Sequence, residues 1–257
     1  MELRNPVREK LLAGRPSIGA WCVSGSPISA EVMANAGFVW IVLDVAHYPI
    51  DVALAADCFR AVQLAGAMPL VRLPACDATW IKRFLDAGAM GIIIPLLRSA
   101  ADARNVAQWS RFPPLGRRPF GGGRANYLYG RDEYLGGAND AILVLVQIET
   151  PEAVDDLDAI LAVDGLDGCF VGPTDLALAK GLPIPWAPSD ERDELVRSLA
   201  RRIRAAGKVT GTVAATAQQV GELVEQGYQL VNVAGDLPYV QQASADAVAE
   251  LRRLGLM

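Results

Sequence analysis

Histidine is almost absent from this chain of 257 residues: there is one, His47. Lysine is scarce too, and none of Lys10, Lys82, Lys180 and Lys208 closes an apolar, strand-like run. Schiff-base chemistry needs a lysine projecting from a strand into a pocket, so the placement of these four argues against it. The four cysteines (Cys22, Cys58, Cys76, Cys169) have no C-x-x-C spacing and lie mostly in apolar surroundings. They are expected to be buried free thiols in a reducing cytoplasm, not disulfides or metal ligands. No apolar run approaches membrane-spanning length. The N-terminus, Met1-Glu2-Leu3-Arg4-Asn5-Pro6, is charged and lacks a signal-peptide core, so a cytoplasmic protein without membrane contact is expected. A net charge of -5 with scattered basic residues argues against a nucleic-acid partner. The densest basic run, Arg201-Arg202-Ile203-Arg204, follows a helical pattern and reads as a solvated face.

What is present is a repeated phrase: a helix end, a glycine, then an apolar β-rich run. It appears at Ala36-Gly37, Ala65-Gly66, Ala87-Gly88, Ala206-Gly207 and, more weakly, Gln226-Gly227. Glycine past a helix supplies a left-handed cap, and a short loop then feeds a strand. Adding Ser17–Cys22, Ile142–Ile148 and Gly168–Val171 brings the strands to eight. Their apolar runs are continuous, as expected when both faces are covered. Between them lie helical patterns, such as Trp80, Ile81, Phe84 and Leu85 on one face. A chain 52% hydrophobic can bury one large core, and eight β/α units predict a single (β/α)8 TIM barrel across residues 1–257. A doubly wound sheet is the alternative, but no G-x-G-x-x-G follows an early strand. One connection, at about 111–139, is long enough to be a lid or binding loop. Its Gly121-Gly122-Gly123-Arg124 suits an anion cradle or simple flexibility equally well.

Acid–base and ligand-binding residues gather at the C-terminal ends of these strands. Glu149 ends the run Val144–Ile148, and about 25 residues later Asp175 follows Cys169–Val171 in Gly172-Pro173-Thr174-Asp175. Carboxylates at neighbouring strand ends suit a hard divalent cation such as Mg²⁺ or Mn²⁺; two surface acids are the plainer alternative. Gln147 shares the strand face of Glu149. Free N–H groups at the Gly172–Asp175 helix start could hold a carboxylate. His47 follows the second strand, three residues after Asp44, which could orient its imidazole for proton transfer. Arg72 closes the third strand and needs an anion, either a framework carboxylate or a substrate oxygen.

Together these segments resemble the HpcH/HpaI aldolase family, the metal-dependent class II pyruvate aldolases. The likeness runs from about Arg8 to the C-terminus. It rests on Gly14-Arg15-Pro16-Ser17-Ile18-Gly19-Ala20-Trp21, Asp44…His47, Val71-Arg72 and Pro113-Pro114…Gly116…Arg118…Gly121…Arg124-Ala125. Val146-Gln147-Ile148-Glu149-Thr150 and Gly172-Pro173-Thr174-Asp175-Leu176 extend it.

The resemblance implies a TIM barrel in a homohexamer, with Glu149 and Asp175 as ligands of Mg²⁺ or Mn²⁺, Co²⁺ being a further candidate. It implies Arg72 and Gln147 facing pyruvate, the backbone at Thr174–Asp175 facing its carboxylate, and Asp44–His47 as the proton-handling dyad. Trp21 and Val213 match pocket-lining positions, and Asp86 matches one that reaches a neighbouring subunit's site. The implied reaction is reversible aldol cleavage of a 4-hydroxy-2-oxo acid to pyruvate, or a close 2-oxo acid, and an aldehyde. The alternatives are a citrate lyase β-subunit or malyl-CoA lyase type of C–C lyase, and a barrel that binds 2-oxo acids without catalysis. The chain departs from the family's Gly-Glu-His in having Val45-Ala46-His47.

Overall fold

The computed structural model describes all 257 residues. Eight parallel strands form a closed barrel: β1 (Ser17–Cys22), β2 (Trp40–Asp44), β3 (Met68–Arg72), β4 (Gly91–Ile94), β5 (Leu143–Ile148), β6 (Gly168–Val171), β7 (Val209–Ala214) and β8 (Leu230–Gly235). Each pairs with the next, and β8 closes onto β1. The (β/α)8 expectation holds. The repeated Ala-Gly phrase caps helices as read, with φ of 108° at Gly88.

Strand alternation sorts the side chains into two packing regions. Outward residues pack against the surrounding helices in a core of 55 buried residues. Inward residues form a smaller cluster that includes Trp40, Val42, Leu70, Ile93, Leu145 and Phe170. Val7 and Leu11, from the helix Pro6–Leu12, join this inner cluster. Gly19 leaves room for Trp40, because a Cβ there would lie 2.2 Å from the indole ring. One step further toward the C-terminal ends, the inward positions change character. Trp21, Asp44, Arg72, Gln147, Gly172 and Val213 take over from the aliphatic side chains.

The segment at 111–139 lies at the other pole. It connects the helix Ala100–Ser110 to the start of β5, and residues 124–129 and 131–141 are helical. Arg111, 2% exposed, donates to the Asn139 carbonyl near the end of the helix 131–141, and to the Ile142 and Gly165 carbonyls and Asp167 just before β5 and β6. The segment therefore cannot act as a lid over its own barrel mouth. Gly121 and Gly123 wrap Asp86, and the Arg124 guanidinium is occupied by Gln63 and the Ala87 carbonyl, which removes the anion cradle. All four cysteines are free thiols. No helix is long and apolar enough to cross a membrane.

Candidate active site

Glu149 is at the centre of the mouth. It follows β5, is 3% exposed, and each of its carboxylate oxygens has a donor. Oε1 accepts from the Leu96 N–H at 2.7 Å, and Oε2 accepts from Gln147 Nε2 at 2.7 Å. Gly172, at the end of β6, makes room for both side chains: a Cβ there would lie 2.6 Å from Glu149 Oε2 and 3.3 Å from Gln147 Nε2. Burial pushes the Glu149 carboxyl up, and Asp175 adds to that; the Leu96 N–H, Arg72 and His47 pull it back. Asp175, Arg72 and His47 therefore all lie within electrostatic reach of Glu149.

Asp175 sits exposed in the first turn of the short helix Pro173–Ala179. No side chain caps this helix, so the first-turn N–H groups of Thr174 and Asp175 lack an intrahelical acceptor. Gln147 Oε1 is buried without a hydrogen-bond partner, its amide orientation set by donation to Glu149. Two carboxylates and an unpartnered amide oxygen are hard oxygen donors that fit a divalent cation. No three His, Cys, Asp or Glu side chains gather as a metal cluster anywhere in the chain. A cation held here would keep coordination positions open for substrate and water.

The structure corrects the expected Asp44–His47 pairing. The Asp44 carboxylate accepts from Arg72 through both Nε, at 3.1 Å, and Nη2. It also caps the following turn, accepting from the backbone N–H groups of Ala46 and His47. None of these bonds reaches the imidazole, which is exposed at the rim. Three residues of tight turn direct the His47 backbone, not its side chain, at Asp44, and a fixed arginine competes for the remaining lone pairs. Of Arg72's anion readings, the framework carboxylate is therefore Asp44. The Nη1 end of the guanidinium has no protein acceptor, and its plane lies over the Trp21 ring at 4.8 Å. Trp21 packs edge-on against Phe170, with its buried Nε1 unpartnered.

Val213 and Thr174 border a cavity of about 600 Å³ that also meets Trp186 and Arg197. Asp86 is not part of its own chain's site. It ends the helix Ala78–Asp86, which runs down to the N-terminal pole, and there it pairs with buried Arg118 at 2.7 Å. Sequence reasoning missed Leu96 and Gly172 as supports for Glu149. No residue type marks a backbone donor such as Leu96, whereas at Gly172 the missing side chain in Gly172-Pro173-Thr174-Asp175 is itself the available signal.

A parallel barrel with acidic, cationic and amide side chains collected at the C-terminal ends of its strands is the architecture of a (β/α)8 enzyme. The chain belongs to the HpcH/HpaI aldolase/citrate lyase family, whose model matches residues 17–243. It is 36% identical over 253 residues to the hydroxypyruvate/pyruvate aldolase of Rhizorhabdus wittichii, covering 97% of this chain and 100% of that protein. It is 37% identical over 252 residues to the 4-hydroxy-2-oxo-heptane-1,7-dioate aldolase of Salmonella typhimurium, covering 96% and 94% respectively. A solved HpcH/HpaI aldolase/citrate lyase family protein from Burkholderia cenocepacia matches with a TM-score of 0.88 at 33% identity, covering 96% of this chain and 99% of that one. The curated relatives that match over nearly the whole chain are class II pyruvate-type aldolases, which are carbon–carbon lyases.

Proposed function

We propose that this aldolase reversibly cleaves a 4-hydroxy-2-oxo acid to pyruvate, or a close 2-oxo acid, and an aldehyde, using Glu149 and Asp175 to hold Mg²⁺ or Mn²⁺. The observation that carries the proposal is the buried Glu149 carboxylate, aligned by two donors beside Asp175 and the unpartnered Gln147 oxygen. Divalent-metal dependence is a family property. When bound, the cation supplies Lewis acidity to the 2-oxo group.

The remaining work falls to the chain's own groups. Arg72 Nη1 stabilises the negative charge that develops on the 2-oxo oxygen as the C3–C4 bond breaks. The free N–H groups of Thr174 and Asp175 receive the substrate carboxylate. His47 takes the proton from the 4-hydroxyl in cleavage and returns one to the aldehyde oxygen in synthesis. Asp44 acts by fixing Arg72 and the turn that carries His47. Ala46 leaves that turn without a second carboxylate, so the rim charge beside His47 is lower than in relatives with Gly-Glu-His. Trp21 and Val213 wall the pocket. Asp86, at the opposite pole, can serve only a neighbouring copy's site, which fits the hexamer implied by resemblance.

The test is a Mn²⁺ titration followed by electron paramagnetic resonance, alongside pyruvate release from a 4-hydroxy-2-oxo acid. Glu149→Ala is expected to lose both. Mn²⁺ binding at wild-type affinity in that variant would remove Glu149 from the site.

A further inference from the structure

Only two residues other than glycine have a left-handed backbone, Leu96 (φ 54°) and Ala234 (φ 50°). Leu96 stands just past β4, and its N–H is the donor to Glu149 Oε1. The next residue is anchored as well: the Leu97 carbonyl accepts from Thr150 Oγ1 at 2.7 Å, and the Leu97 side chain is fully buried. The ends of β4 and β5 are therefore tied at consecutive residues, and Leu96 makes its bond from a left-handed backbone.

Glycine would make the same backbone bond without the steric cost of a Cβ in this conformation. Leucine occupies the position, yet its side chain adds little to the core, being 59% exposed. A strained backbone that carries an exposed apolar side chain at a strand end needs a use for that side chain. Its neighbourhood suggests one. The amide nitrogen touches the Glu149 carboxylate, so the residue lies beside the mouth, and its side chain is solvent-exposed. The charged groups there (Arg72, Glu149, Asp175) suit the 2-oxo acid half of the substrate. Among exposed large apolar side chains, Leu96 alone is bonded through its backbone to one of these site residues.

We infer that Leu96 is a specificity residue. Its side chain forms an apolar wall on the β4 side of the mouth, against which the substituent of the aldehyde packs. The enzyme thereby favours aldehydes with an apolar chain over short hydroxylated ones. This rests on the aldolase reading above.

The experiment compares kcat/KM for addition of pyruvate to pentanal and to glycolaldehyde in wild type and Leu96→Gly. Any change in Glu149 placement acts on both aldehydes and cancels in the ratio. The pentanal-to-glycolaldehyde ratio is expected to fall about 10-fold, the scale of a lost hydrophobic contact. A ratio within twofold of wild type overturns the inference. If Leu96→Gly fails to fold by circular dichroism, Leu96→Asn, which tolerates the left-handed region, is read in the same way. Wild-type enzyme that fails to exchange the pyruvate methyl protons, a step involving no aldehyde, would sink the aldolase reading itself and this inference with it.

Discussion

A buried glutamate keeps its charge only if its oxygens find partners. At Glu149 the partners are a backbone N–H from the end of β4 and an amide two residues earlier on the same strand. Gly172 leaves just enough space for this arrangement, since a methyl group there would overlap Glu149 Oε2 and Cβ, at 2.6 and 2.9 Å. Gly172→Ala should therefore lower kcat/KM by about 10-fold or more, as misplaced catalytic groups do, while far-UV circular dichroism stays native. His47→Ala should cut cleavage by about 10²-fold with Mn²⁺ affinity retained; unchanged turnover would end its role in proton transfer. Period-two alternation makes Gln147 and Glu149 readable from sequence as one surface. The Asp44 partnership was not readable, because a three-residue spacing cannot say whether a carboxylate meets a backbone N–H, an imidazole or an arginine from the next strand.

Among the elements, one carboxylate ties the segment that follows β1 to the start of the last helix. Asp236, 3% exposed, begins the last helix, Asp236–Arg253, and accepts from the Val23 N–H at 2.9 Å and from the Ser29 hydroxyl at 3.0 Å. Burial pushes its carboxyl up, but hydrogen bonds from Ser24, Val23 and Ser29 outweigh that and hold it below the usual aspartate range. A depressed folded-state pKa adds stability that is complete above the unfolded value, about 3.9, and is lost as pH falls through the folded one. Asp236→Asn should cost about 1–3 kcal/mol in urea unfolding at neutral pH. The gap to wild type should narrow below about pH 4; a constant gap would mean that charge plays no part.

The helices at 124–129 and 131–141 show where element signals fail. Their N-caps are Gly123 and Gly130, without side-chain caps, and Gly136-Gly137 lies inside the second. Glycine-rich, uncapped sequence reads as loop, and only tertiary packing makes it helical. The strands, by contrast, carry their signal in continuous apolar runs and capping glycines, which local propensity and tertiary burial support together.

For the whole molecule, barrel closure puts every strand end on one face, so residues from β2, β3, β5 and β6 meet without being close in sequence. The same geometry sends Asp86 and residues 111–123 to the far pole. If Asp86 contributes to catalysis, it does so across an interface. Light scattering should then give a mass several times the 27.4 kDa of one chain, six copies by resemblance. A monomer with full activity would exclude Asp86 from the chemistry. Proton-to-deuterium exchange at the pyruvate methyl group, followed by NMR with Mg²⁺ or Mn²⁺ and then with EDTA, tests the proposed enolate chemistry most directly. Exchange that requires the metal and disappears in Glu149→Ala is expected. Pyruvate that binds but does not exchange with either metal would contradict it.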